Sequence, residues 1–281
     1  MNDIIEDCSD PRLVEAIERA WFESLAFWGS APGREVYEDR YMKRVVLFAP
    51  EFALFNSVHF AQLTEDNMEQ KINETIGYFK SLGLPWTWYT GPSTKPNNLG
   101  QHLQARGLTH ILDEPCMAVG LGSLKEELPK PPGLRIESVE NTGGLKDWIE
   151  AVTKGFGVTK STSDLLFDIE SHHGFGKHLP RRSYVGYLNG KPVASSLLLL
   201  TSGVAGLFCV ATVPEVRGRG IGTAMTLAPM KEAHEMGYKV AVLHSSRKGL
   251  GVYRRIGFEE YCKLGIYRLP KQNESSKAHT P

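Results

Sequence analysis

The 281-residue sequence has no excess charge of either sign, since 32 Lys and Arg are matched by 32 Asp and Glu. A formal charge of zero removes the bulk attraction that a nucleic-acid or anionic-membrane binder uses, so neither partner is expected. Cysteine is scarce and scattered. Cys8, Cys116, Cys209 and Cys262 contain no CxxC spacing, which excludes a disulfide framework and a zinc finger and reads as free thiols in a reducing compartment. No metal site is expected. The opening MNDIIEDCSD is acidic and has no apolar stretch, so it does not read as a secretory signal, and a cytoplasmic protein is expected. Only one long run lacks charge, residues 193–213, and on length it could cross a bilayer. Thr201-Ser202-Gly203 puts a turn at its middle, and Ser195, Ser196 and Thr212 place hydroxyls along it. Two buried strands, 193–200 and 206–213, account for it better.

What is present is ordinary for a globular chain with a sizeable core: 41% apolar and 23% charged residues. The length suggests two domains. Residues 126–133, EELPKPPG, crowd three prolines and a glycine into a stiff linker. They separate a domain at 1–125 from one at 134–269, and residues 270–281, without an apolar face, read as a disordered tail. In the first half, Asp10-Pro11 opens a helix whose stripe is Leu13, Ile17, Trp21, Leu25 and Trp28. Strands 44–48 and 54–60, helix 66–82, strand 86–89, short helix 99–105 and strand 116–121 follow. The second half reads as strand 134–139, helices 145–156 and 161–172, and a hairpin of 184–187 with 193–200 about Asn189-Gly190. Strand 207–213, a glycine-rich loop, helix 223–236, strand 239–244, a helix ending near 256 and strands near 258–261 and 265–269 complete it. This order describes an α/β fold with a mixed-direction sheet flanked by helices. The halves also echo one another: Gly83-Leu84 through Leu103-Gln104-Ala105-Arg106-Gly107-Leu108 parallels Gly237-Tyr238 through Tyr253-Arg254-Arg255-Ile256-Gly257-Phe258. A diverged internal duplication is expected.

The sharpest local feature is VATVPEVRGRGIGTA at 210–224, between a strand and a helix. Glycines there let backbone N–H groups converge, the helix N-terminus adds partial positive charge, and Arg217 and Arg219 add full charges. A diphosphate is the natural occupant. A dinucleotide fold needs an acidic residue at the end of the next strand, where Leu243-His244-Ser245 stands instead. A Walker loop needs Gly-Lys-Ser/Thr, which is absent. A methyltransferase loop sits early in its domain behind an acidic residue, whereas Pro214 and Arg217 occupy that stretch here.

Arg217-x-x-Gly220-x-Gly222 resembles motif A of the GCN5-related N-acetyltransferase (GNAT) family, and Ser246 with Tyr253-x-x-x-Gly257-Phe258 resembles its motif B. Together they cover 134–269. The first half resembles the degenerate amino-terminal copy of tandem-GNAT proteins through Phe55-Asn56-Ser57-Val58 and Gly91-Pro92-Ser93-Thr94, so two tandem GNAT-like (acyl-CoA N-acyltransferase) domains are implied. The resemblance implies acetyl-CoA as co-substrate, with the amides of Arg217, Gly218, Arg219, Gly220, Ile221, Gly222 and Thr223 on its pyrophosphate. It implies that Val210, Ala211, Thr212 and Val213 run beside the pantetheine arm, with an amide near Thr212 or Val213 polarising the thioester. Ser246 would contact the arm, and Tyr253 would be the general acid that protonates the departing thiolate. The segment of the first half aligned with motif A, Leu63-Thr64-Glu65-Asp66-Asn67-Met68-Glu69, has three carboxylates and no glycine, and Leu103 stands at the Tyr253 position; that copy is not expected to bind acetyl-CoA. The acceptor would be a small-molecule or peptide amine. Glu170, His172, His173, His244 or a water chain are the candidates for its base. Trp86, Trp88 and Tyr89 read as core residues before an acceptor pocket. A non-catalytic acetyl-CoA-binding module, another acyl-CoA, and S-adenosylmethionine at the same loop remain as alternatives.

Overall fold

A computed structural model describes residues 4–125 and 131–270. Residues 126–130 of the expected linker and 271–281 of the expected tail lie outside the described residues. Helix α1 (Leu13–Gly29) starts where expected: the Asp10 carboxylate accepts from the Arg12 amide at 2.8 Å, and the helix buries Leu13, Ile17, Leu25 and Trp28. There follow β1 (Glu35–Glu38), β2 (Lys43–Val46), β3 (Asn56–His59), α2 (Glu65–Leu82), β4 (Thr87–Thr90), α3 (Leu99–Ala105) and β5 (Thr109–Gly120). Then come β6 (Leu134–Ser138), α4 (Thr142–Phe156), α5 (Lys160–His173), β7 (Arg181–Leu188), β8 (Lys191–Thr201) and β9 (Val204–Thr212). Helix α6 (Ile221–Glu235), β10 (Val240–His244), α7 (Leu250–Ile256) and β11 (Glu259–Arg268) end the described chain. The uncharged run folds as the β8–β9 hairpin. Its Ser202 and Gly203, like Asn189 and Gly190 before it, both have positive φ, as a two-residue hairpin turn with strand-matched twist requires. No helix among the described residues is long and apolar enough to cross a membrane.

Three elements differ from the sequence reading. Strand β1 was not expected: Glu-Val-Tyr-Glu is short, mostly exposed and lies at a sheet edge. Strand β5 begins at Thr109, earlier than the apolar run at 116–121 indicates, because its first half is exposed or half-buried. The two expected C-terminal strands are one continuous β11.

The compact units also cut across the linear division at 1–125 and 134–269. One unit combines Met1–Ala31 with Pro115–Cys262, and the other combines Pro32–Glu114 with Lys263–Pro281. The cause is the burial of α1 and the pairing of β5. In the first unit the strand order is β5-β10-β9-β8-β7-β6, with β9 and β10 parallel and every other pair antiparallel. Helix α6 packs Met225, Met230 and Ala233 against Leu198, Leu200, Leu207 and Leu243. On the other face, Trp21 of α1 meets Phe208 at 6.0 Å between ring centroids, and α4 packs on β7 to β9. A buried ion pair locks this face. Glu170 of α5 takes both terminal nitrogens of Arg181 from β7 and the indole N–H of Trp28 at 2.7 Å, while the guanidinium lies 4.9 Å from the Phe27 ring.

The second unit repeats the parallel pair: β3 and β4 run together, with β2 and β1 outside β3 and the end of β11 antiparallel to β4. Phe79, Trp86, Trp88, Leu99 and Leu103 fill its core, and Trp86 stacks on Phe79 at 4.6 Å, so the two tryptophans are core residues here.

A fragment of residues 134–281 lacks both α1 and the β5 strand that pairs with β10. It is expected to show no cooperative thermal transition in calorimetry, where the full chain shows one. A sharp melt of that fragment with native near-ultraviolet dichroism would contradict this account of the unit.

Candidate functional site

The glycine loop leaves β9 through a short 3-10 turn at Pro214–Val216 and enters α6 at Ile221. Gly218 and Gly220 have φ of 75° and 79°, left-handed values that glycine adopts without cost. A Cβ at Gly218 would meet nothing within 4 Å, so the backbone sign, not space, selects glycine there. The amides of Gly218, Arg219, Gly220, Ile221, Gly222 and Thr223 have no acceptor among the described residues, while the next, Ala224, already bonds Gly220 O at 3.1 Å. A row of open N–H groups at the positive end of a fifteen-residue helix suits an anion such as a diphosphate.

Arg217 corrects the expected cradle at its first position. Its amide bonds Pro214 O at 3.3 Å, so the open amides start at Gly218. Its guanidinium donates to Thr212 O at 2.9 Å and Gly155 O at 2.7 Å. Arg219 is exposed and makes no ion pair among the described residues.

Beside the cradle the sheet opens. Strands β9 and β10 pair only from Ala205 with Ala241 to Leu207 with Leu243, yet β9 continues to Thr212. On its other side the register jumps: Phe208 faces Leu197 and Ala211 faces Ser195, so Cys209 and Val210 oppose Ser196 alone. Cys209 has φ 51°, the left-handed backbone of a β-bulge. Beyond the bulge, Val213 donates to Val193 O at 2.9 Å, which removes it as a polarising amide. In an antiparallel pair neighbouring residues direct their backbone groups to opposite edges. Thr212 therefore offers its N–H to the open edge, and Val210 and Ala211 form the rest of the strand wall.

Tyr253 is 8% exposed, packed edge-on against Phe258 in the core that also contains Val213 and Ile221. Its hydroxyl has no hydrogen-bond partner among the described residues, and burial pushes its pKa up to about 12. It stays protonated at neutral pH. Ser246 serves the chain itself: its hydroxyl accepts the Gly249 amide at 3.2 Å and its carbonyl accepts Leu250 at 3.1 Å, starting α7.

The four base candidates separate. Glu170 is committed to Arg181 and Trp28. His172 is exposed on the last turn of α5. His173 packs 4.1 Å from Phe27, and burial lowers its pKa. His244 stands at the mouth of the opening, one residue beyond the last β9–β10 pair. It stacks on Trp21 at 5.1 Å, with Nε2 3.5 Å from Ile17 O and Nδ1 3.9 Å from Cys116 Sγ. Burial lowers its pKa to about 4. Trp21 is the site neighbour that sequence reasoning missed, since α1 precedes the strands of its own half and nothing local shows that it packs on β9 and β10 instead.

In the second unit the segment between β3 and α2 is held by its own hydrogen bonds. After β3, Lys95 donates to Ala61 O at 2.8 Å and accepts from Leu63 at 2.9 Å. Thr64 bonds the Asn67 side chain at 3.0 Å, and Glu65 and Asp66 occupy the first turn of α2. That arrangement offers no anion cradle.

Comparison with known proteins bears on this geometry. A family model described as "Acetyltransferase (GNAT) domain" matches residues 140–261. No curated protein matches the sequence. Among solved structures, a GCN5-related N-acetyltransferase from Kribbella flavida is similar at 17% identity and TM-score 0.69, covering 91% of this chain and 97% of its own. One from Sphaerobacter thermophilus is 19% identical with TM-score 0.63, covering 92% and 90%. A tandem GNAT protein from the clavulanic acid biosynthesis pathway is 12% identical with TM-score 0.58, covering 92% and 95%. At these identities the likeness establishes the α/β fold.

The depressed pKa of His244 has a stability consequence with a definite sign. Its folded value, about 4, lies below the ordinary 6.5, so the unfolded chain binds the extra proton first as pH falls. The contribution is complete above the ordinary value and is lost as pH drops from there toward about 4. Thermal melts across that window are expected to fall less steeply for His244→Asn than for the wild type. Equal slopes would refute the assignment.

Proposed function

We propose that the chain transfers acetyl from acetyl-CoA to an amine, a reading supported by the match of residues 140–261 to a model of the acetyltransferase (GNAT) domain. The observation that carries the reading is the run of open amides from Gly218 to Thr223 beside an open strand edge. The diphosphate would rest on those amides with Arg219 adding charge, and the pantetheine arm would lie along Val210, Ala211 and Thr212. As the amine nitrogen adds to the thioester carbon, charge grows on the carbonyl oxygen, where the Thr212 amide donates. The carbon–sulfur bond then breaks, the leaving sulfur takes the phenolic proton of Tyr253, and the proton that the new amide nitrogen sheds to solvent water is matched by one that solvent returns to the phenolate. A phenol near 12 is ready for that role because it is never ionised beforehand.

The attacking amine must first be free. With an ordinary pKa near 10, roughly one part in a few thousand is unprotonated at pH 7. A side-chain base works best with a pKa close to the working pH. His244 is far below that and Glu170 is engaged, so the amine loses its proton to solvent water in this reading. The second unit is read as a diverged copy that supplies no second acetyl-CoA site.

Isothermal titration of acetyl-CoA into the full chain is expected to give one site per chain. Gly220→Glu, which puts a carboxylate and a β-carbon into the cradle, is expected to abolish binding; normal binding by that variant would remove the cradle from the account. In an amine panel followed by thiol release, Tyr253→Phe is expected to lower kcat by roughly 100-fold or more with acetyl-CoA affinity unchanged. The kcat/KM of the wild type should climb with pH toward the amine's own pKa. A plateau beginning near pH 6 to 7 would reveal a side-chain base instead.

A further inference from the structure

Arg217 stands at the first position of the glycine loop, where a cation would be expected to face a bound anion, yet its guanidinium donates to two backbone carbonyls of the protein. One acceptor, Thr212 O, belongs to the last residue of β9. The other, Gly155 O, lies in the last turn of α4, where a helix carbonyl has no partner of its own and carries the negative end of the helix dipole. A guanidinium suits the task because its planar fork reaches two acceptors at once, which a lysine ammonium does less well. The contact is tight on a second count. A Cβ at Gly155 would fall 2.6 Å from Ala211 Cβ and 3.4 Å from Thr212 N, so α4 lies against the residue whose amide faces the open edge. Two residues on, Arg219 is exposed and carries the charge the loop can offer to an anion.

We propose that Arg217 is a positioning residue: its guanidinium ties the last turn of α4 and the Thr212 backbone to the entry of the glycine loop. The Thr212 amide and the first open amides of the cradle are thereby held in one frame, so that seating the diphosphate also sets the thioester carbonyl against its donor. The proposal rests on the acetyl-transfer reading for its second clause only; the tie itself belongs to the unliganded protein.

The test compares Arg217→Ala, Arg217→Lys and Arg219→Ala with the wild-type chain, by hydrogen exchange and by titration with acetyl-CoA at low and high salt. In the unliganded proteins, amides at the end of α4 (residues 156–158) should exchange roughly ten-fold faster in Arg217→Ala, consistent with loss of charge-assisted hydrogen bonds, and unchanged in Arg219→Ala. Arg217→Lys should not restore them. Acetyl-CoA should bind more weakly to both Arg217 variants with the wild-type salt dependence, whereas Arg219→Ala should flatten that dependence. Acetyl-CoA should also slow exchange at residues 156–158 of the wild type but not of Arg217→Ala. Unaltered exchange at α4 in Arg217→Ala, or a flattened salt dependence in Arg217→Ala with affinity recovered in Arg217→Lys, would overturn the proposal and make Arg217 a charge for the ligand. Failure of the wild type to bind acetyl-CoA would instead sink the transfer reading, and the unliganded exchange rates would still decide the tie.

Discussion

The separation of β9 from β10 after Leu207 and Leu243 is the constraint from which the rest of the site follows. A parallel pair that stops early leaves N–H and C=O groups on an inner edge, and buried backbone groups without partners are costly. The protein deals with this edge in parts. The bulge at Cys209 and Val210 turns the strand, Val213 returns to β8, and Arg217 takes the Thr212 carbonyl. What is left over is a small set of donors on one side of a gap, next to the start of α6. A thioester with a diphosphate tail supplies acceptors for both groups of donors. The unfinished sheet and the proposed chemistry are thus one feature.

Opposite the gap, the face of the first unit is stiffened by polar burial. Glu170 and Arg181 are each about 4% exposed at the side chain, and ions taken that far from water are tolerated only when their hydrogen bonds are satisfied. From α1, Trp28 donates to Glu170 and Phe27 lays its ring against the guanidinium, while Arg181 Nε is left without a partner among the described residues. Such a pair adds little net stability against an apolar substitute, but removing one partner strands the other. The same commitment explains why a carboxylate that looks like a base in the sequence is unsuited to be one. Trp21 joins Phe208 and His244 in a cluster of rings beside the last β9–β10 pair, and burial keeps the histidine neutral at pH 7.

Much of this was legible in the residues. Helices α2 to α6 and the two hairpins announce themselves through apolar spacing, caps and Asn-Gly or Ser-Gly turns, all of which act over a few residues. The glycine loop is legible for the same reason, because its conformation depends on Gly218 and Gly220 rather than on distant neighbours. Long-range pairing was not. The charged first half of β5 and the Lys263 step inside β11 give no strand signal by themselves; hydrogen bonding to neighbouring strands decides them. Arg217 shows the limit most plainly: the sequence supplies its charge and its place in the loop, but only the fold brings Gly155 O within its reach. Ser246 likewise has the right position and spends its hydroxyl on the turn before α7.

The discontinuous make-up of the two units sets an order of events during synthesis. Helix α1 is finished within the first 31 residues, but the strands that cover its apolar stripe lie between Pro115 and Cys262. At a ribosomal pace of about 5–20 residues per second, that stripe waits on the order of ten seconds or more for its sheet. The other unit waits as well, since the strand that pairs with β4 emerges after Lys263. Neither unit can close on itself before the residues around 262–268 have left the ribosome. The apolar stripe of α1 is therefore left uncovered by its own sheet through most of the synthesis of residues 32–262.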